Sequence, residues 1–283
     1  MKKILYLPLV LLALQLHAQQ NVVFKIKYLP NHTYNGAITM GMVVHLDLSG
    51  DSAVLAKMKS QGLSSPLTVN MDMKMNGTTK TGAPGDNHAF PITMGFKFDN
   101  MSLDLNGKSI PVPTEKLGNG VSVYGHVGAD GKIKADSIGG AKTADTSQEK
   151  VTKLMNTIQK NIQFPDHPMK IGETFTQEMP MSVPVGGNNM DLNSQVIYKL
   201  IRISDGNAYF DVQQTMNMSL PIGGGTINIS GGGAGKLVYS IKDNFATDYN
   251  TNVDLKVTGQ IKTLKIDATA QMNMGYKYTV DVK

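Results

Sequence analysis

Apolar and polar residues alternate with a period of two along most of this chain. Met40, Met42, Val44, Leu46 and Leu48 share one side, with Thr39, Gly41, His45 and Asp47 opposite. Leu67, Val69, Met71, Met73 and Met75 repeat the pattern against Thr68, Asn70, Asp72, Lys74 and Asn76. Phe90, Ile92, Met94, Phe96 and Phe98 make a third such stretch. Later, Ala208, Phe210, Val212, Met216, Met218, Leu220 and Ile222 fall together, and an unbroken run of alternating apolar positions extends from Leu264 to Val282. Neighbouring side chains on a strand point to opposite sides, so these stretches predict long antiparallel strands, each half buried and half wet. Asn106-Gly107, Asp130-Gly131 and Asp205-Gly206 are pairs that suit tight hairpins. Gly- and Pro-rich stretches at 82–87, 111–120, 184–189, 223–225 and 231–235 are predicted as connections. Residues 53–62 mix polar and apolar positions, as a helical turn or a loop would.

One segment follows a different period. Thr146 and Glu149 have capping-box spacing, and Val151, Leu154, Met155, Ile158 and Ile162 then recur as on one side of a helix that Pro165 ends. This divides the chain into four expected parts: a leader at 1–18, an N-terminal β half at 19–143, a connecting amphipathic helix at 144–165 and a C-terminal β half at 166–283. The halves read as a faint duplication, each carrying a glycine-led strand, at 120–127 and 235–241. The expected fold is mainly β: curved antiparallel sheets in two pseudo-repeated halves, half-barrel or clam-like, with the helix packed on a concave side.

The leader has a secretory layout. Lys2 and Lys3 precede an apolar run from Ile4 to Leu16, and Ala18 is the small residue at the cut. The mature chain is expected to begin at Gln19 or Gln20, in the periplasm or outside the cell. No later stretch is long and apolar enough to predict a helical membrane span in the mature chain.

Composition narrows the chemistry. The chain has 283 residues, 41% hydrophobic and 17% charged, too apolar for a largely disordered protein. It has no cysteine, which excludes disulfides, thiolate metal sites, a Cys nucleophile and a lipid attached through cysteine. It has no tryptophan, and Arg202 is the one arginine among 27 cations. Formal net charge is +5, but Lys2 and Lys3 belong to the leader and the other lysines are scattered. That is a solvated surface rather than a nucleic-acid stripe. The histidines show no metal-ligand spacing. Gly231 to Lys236 falls short of a phosphate loop, because Ser230 and Leu237 stand where glycine and Ser/Thr are needed. No serine, carboxylate pair or calcium-loop spacing points to catalysis, so a non-enzymatic protein without cofactor or resident metal is expected.

The 18 methionines are the compositional outlier. Many come as Met-x-Met pairs: Met40/Met42, Met71/Met73 with Met75, Met179/Met181, Met216/Met218 and Met272/Met274. On a strand each pair puts two thioethers on one side. Their register with Val, Leu, Ile and Phe predicts the lining of an apolar interior, because methionine packs irregular gaps and adapts to varied apolar shapes. The candidate ligand-lining residues are therefore Met40, Met42, Met71, Met73, Met75, Phe96, Met216, Met218, Met272 and Met274. The alternative is a soft-metal site for Cu(I) or Ag(I), which requires several pairs to converge on neighbouring strands.

From Phe164 to Phe175 the chain reads Phe-Pro-Asp-His-Pro-Met-Lys-Ile-Gly-Glu-Thr-Phe. With the Ala18-Gln19 leader end and the stretch from Tyr198 to Gly206, this resembles an uncharacterised group of secreted Gram-negative proteins that carry a β-rich domain of unknown function. It departs from the group at Phe175, where tryptophan is the commoner residue. The resemblance implies export and β architecture and assigns no activity. A curved sheet lined with Met, Leu and Phe is also similar to periplasmic lipid and lipoprotein carriers. On that analogy the expected function is binding of a lipid or acyl chain in the cell envelope. The rival is a structural or protein-interaction module with a filled core. No protein partner is indicated.

Overall fold

The computed structural model describes residues 22–60, 62–112, 120–139, 162–185, 188–222 and 225–282. The leader and residues 144–161 of the expected connecting helix lie outside them. Residues 162–165, the end of that predicted helix, carry no regular secondary structure.

The alternating stretches all form strands. In chain order these are β1 (His32–Ser49), β2 (Leu67–Thr81), β3 (Phe90–Leu105), β4 (Lys108–Ile110), β5 (Val121–Val127) and β6 (Ile133–Gly139). The second half contributes β7 (Thr174–Val185), β8 (Asn188–Ser204), β9 (Asn207–Ile222), β10 (Gly225–Ser240), β11 (Phe245–Ile261) and β12 (Leu264–Val282). Between β1 and β2 a short helix, α1 (Ser52–Ser60), buries none of its residues. It is the one helix among the described residues, and it makes residues 53–60 of the ambiguous stretch helical.

All strands belong to one antiparallel 12-stranded sheet, ordered β6-β5-β3-β2-β1-β12-β11-β10-β9-β8-β7, with β4 alongside β3. The expected two halves are thus fused into a single open sheet. The seam is the pairing of β1 with β12, in register from His32↔Val282 to Ser49↔Lys265. The chain starts in the middle of the sheet, meanders to the β6 edge, resumes at the far β7 edge and returns to its own start. Turn chemistry does much of this. Asn106-Gly107 and Asp205-Gly206 have positive φ at both residues, as a two-residue hairpin turn of the right twist demands.

One side of the sheet is apolar, the other polar. The polar side is built from residues such as Asn70, Asp72 and Lys74 on β2, and Lys265, Asp267, Thr269, Gln271 and Asn273 on β12. The apolar side is concave along β10, and here the sequence reading needs correction. Residues 231–235 are not a turn but the middle of a 16-residue strand. A Cβ on Gly231, Gly233 or Gly235 would lie 2.0, 1.9 or 2.0 Å from the backbone oxygens of Asp254, Asn252 and Asn250 on β11. The sheet folds so sharply at this corner that only glycine fits on the inside. The same glycines that look like a flexible loop in one dimension let a strand bend against its neighbour.

At one end the apolar side is filled. Residues 22–30 and 162–169 cross it, joined by a bridge in which Met169 N donates to Val22 O. Phe24, 1% exposed, sits edge-on to Phe210 and Tyr239, with ring centroids 5.3 and 5.2 Å away. Phe164 and Phe175 extend this cluster to Tyr198. The Tyr239 hydroxyl donates to Lys25 O, and Tyr34 Oη accepts from Leu29 N, so the crossing segment is hydrogen-bonded as well as packed. A neighbouring aromatic set, Tyr28, Tyr34, Phe245 and Tyr278, closes the centre, with Tyr278 laid over Gly36.

Candidate functional site

Away from that aromatic end, the apolar side is half-exposed. Val44, Leu46, Val69, Leu255, Val257, Ile227, Ile229 and Leu220 face it with intermediate burial. So do all ten residues singled out in the sequence. A contiguous apolar strip left partly uncovered is uncommon and calls for an explanation.

Strand pairing decides which of the ten meet. β1 lies between β2 and β12, and its Met40 is opposite Met73 on one side and Met274 on the other. Met42 is likewise opposite Met71 and Met272. Three Met-x-Met pairs therefore form a grid of two rows across three adjacent strands. Met101 on β3 extends the first row beyond Met73, a neighbour the alternation alone did not single out because a bulge at Lys74/Met75 resets its register. Met75 stands one row further along, opposite Ile38 and Phe98. Phe96 lies over Gly77, its ring 3.5 Å from the place a Cβ would take, and packs with the smaller core of Phe90, Ile92 and Met94. Met216 and Met218 share the apolar side but sit on β9, opposite Gly231 and Ile229, and do not join the grid. Side chains of Met179 and Met181 lie outside the described residues.

Sequence reasoning missed the polar end of this strip. Gln177, Ser194 and Gln214 are buried on the apolar side, where the filled core meets the open strip. Gln214 Nε2 donates to Ser194 Oγ at 3.2 Å, and that hydroxyl donates to Thr215 O at 3.3 Å. Gln214 Oε1 is buried without a partner. An unmet buried acceptor is costly, and each such atom calls for an explanation. The sequence signal was present: Gln214 sits between Val212 and Met216 at a position where the alternation demands an apolar residue.

Electrostatics leave the strip neutral. Burial pushes the phenols of Tyr28, Tyr198 and Tyr276 well above the ordinary tyrosine value, so they act as neutral groups. Among the described residues no group of three or more His, Asp or Glu is placed to hold a metal ion. The opposite side of the sheet has a shallow groove lined by His45, Ser230, Asp254, Lys256, Thr269 and Gln271, all exposed as on a hydrated surface. Among the described residues no helix is long and apolar enough to cross a membrane.

Fold and site together describe an open antiparallel sheet with one wet side and one half-covered apolar side. No family model and no curated protein matches the chain. Among solved structures it is similar to a bacterial polysaccharide outer membrane secretin, at 8% identity and a TM-score of 0.26, covering 91% of this chain and 100% of that one. It is also similar to the β domain of the Bordetella autotransporter Brka, at 9% identity and TM-score 0.21, covering 86% and 98%. An outer membrane channel from Pseudomonas putida F1 shows 9% identity and TM-score 0.19, covering 89% and 97%. Likenesses at such TM-scores carry no argument about what this chain does.

Proposed function

We propose that this is an exported, non-enzymatic protein of the cell envelope, periplasmic or secreted, that binds a lipid or acyl chain along the open half of its apolar side. The observation that carries the reading is the strip itself: aliphatic and thioether side chains on six or more strands, half-exposed, ending at a buried unpartnered amide oxygen. Binding sites for apolar ligands combine a wide apolar lining with a few placed polar groups. An amphiphile whose donor group reached Gln214 Oε1 would satisfy that atom, while its chain covered Met216, Met42 and Leu255. Methionine suits such a lining because its three rotatable bonds and polarisable sulfur adapt to chains of different shape.

The filled aromatic end favours a second reading, a structural or interaction module with a packed core. Native mass spectrometry of protein exported by its own host decides between them. The carrier reading expects a retained lipid-sized mass that organic extraction removes. A bare polypeptide mass, together with no uptake of a fluorescent fatty acid by the purified chain, would leave the module reading standing.

A further inference from the structure

The apolar side holds a second chemistry that acyl binding does not need. Met73, Met40 and Met274 form one cross-strand row, and Met71, Met42 and Met272 form the next. Paired residues on neighbouring strands have Cβ atoms about 4.5–5.5 Å apart, and rows two residues apart along a strand are separated by about 6.6 Å. A methionine sulfur extends from Cβ by about half of the cross-strand gap, on freely rotating bonds, and by less than half of the gap between rows. Sulfurs of adjacent methionines in one row can therefore be brought together over the sheet. All six side chains are half-exposed, so an ion can enter without unfolding the core. The same-side neighbours, which include Ile38, Val44, Thr251, Tyr276 and, on β3, Met101 and Leu103, offer no carboxylate or imidazole.

We infer that this grid is a thioether site for a soft monovalent ion, Cu(I) or Ag(I), centred on Met40 and Met42 of β1. The ligand set selects the ion. Calcium and magnesium want oxygen ligands, and Cu(II) and zinc want imidazole, thiolate or carboxylate, whereas neutral sulfur suits Cu(I) and its soft congeners. A single positive charge is also the least costly to place on an apolar surface. The rows are the convergence that a metal reading of Met-x-Met pairs requires, and they exist only because β1 pairs with both β2 and β12. Binding here is simple coordination, with no change in oxidation state.

The test separates sulfur from mere apolarity. The full exported chain is titrated with Ag(I) in chloride-free buffer, and with Cu(I) under anaerobic conditions against a chromogenic chelator. Methyl resonances of labelled methionine report which side chains respond. The expected result is uptake with submicromolar affinity, movement of the grid methyls, and an X-ray absorption spectrum showing sulfur neighbours only. Met40→Leu with Met42→Leu should weaken uptake at least tenfold while leaving the melting midpoint as in the parent. Met216→Leu with Met218→Leu, outside the grid, should leave metal uptake unchanged. If the β1 double variant does not fold, Met73→Leu with Met274→Leu replaces it, and the methyl shifts of the parent protein stand on their own. Absence of uptake by the parent, nitrogen or oxygen scatterers at the ion, or equal uptake by the β1 variant would overturn the assignment. Fatty-acid uptake by the parent protein, measured separately, tests acyl binding, so either reading can fail without the other.

Discussion

Single residues account for the sharpest features of this protein. Gly233 is the tightest of the three glycines at the β10 corner, with the Asn252 backbone oxygen 1.9 Å from where its Cβ would be. Gly233→Ala must open the corner or distort β11. We expect a loss of about 1–3 kcal/mol, the range of overpacked sites, read from the urea midpoint. Gly232, whose missing side chain would lie on the polar side, meets the Gln214 backbone oxygen at a less severe 2.9 Å and should lose less when changed to Ala. Gln214→Leu removes the buried acceptor without stranding Ser194, which still donates to Thr215 O. Its stability should change by less than about 1 kcal/mol or rise, since an unmet buried polar group is being removed. Retained lipid in native mass spectra should fall in the same variant. Unchanged lipid retention would separate Gln214 from ligand binding. The buried tyrosines carry a pH signature. Their folded-state values are raised, so above about pH 10 the unfolded chain sheds phenol protons that the folded chain keeps. Stability should be flat with respect to these groups below that pH and fall above it, as thermal midpoints across the alkaline range will show.

Elements divide into those that carry the core and those that do not. The crossing segment at 22–30 is not a strand of the sheet, yet Phe24 is among the most buried side chains and touches rings from β9, β10 and the 162–169 segment. Phe24→Ala should cost about 3–5 kcal/mol, the usual range for a buried phenylalanine. Helix α1 is the contrast. With none of its residues buried, Leu55→Ala or Met58→Ala should move stability by less than about 0.5 kcal/mol. A larger loss at either site, measured by the same denaturant curves, would mean that α1 packs on something. Hairpins were legible where turn residues announce them, at Asn106-Gly107 and Asp205-Gly206. The turn between β11 and β12 was not, because Lys262 takes the positive φ there without any glycine or asparagine to mark it. The β10 glycines misled in the other direction. Glycine permits a turn and also permits close approach of two backbones, and only the position of β11 distinguishes the two uses.

At the level of the whole molecule, the chain closes on itself through the middle of a sheet rather than through its edges. Those edges are modest: β6 is seven residues long and carries Lys134 and Asp136, while β7 includes Pro180 and Pro184, which have no N–H to offer. The alternation of apolar and polar residues established by itself that the protein is antiparallel β, and which residues share a side. That property is local, since each strand's two sides follow from its own backbone. Met40 and Met42 were bound to face with Val44 and Leu46 whatever their neighbours were. What covers that side, and which methionines adjoin, could not follow from periodicity. Met40 is 234 residues from Met274 in the chain, and their pairing is set by the β1–β12 register. A one-residue slip in that register would place Met40 beside a polar-side residue, so the grid depends on tertiary pairing that no single strand encodes. The corner at Gly233 and the polar end at Gln214 have the same origin, because each is defined by atoms of a neighbouring strand.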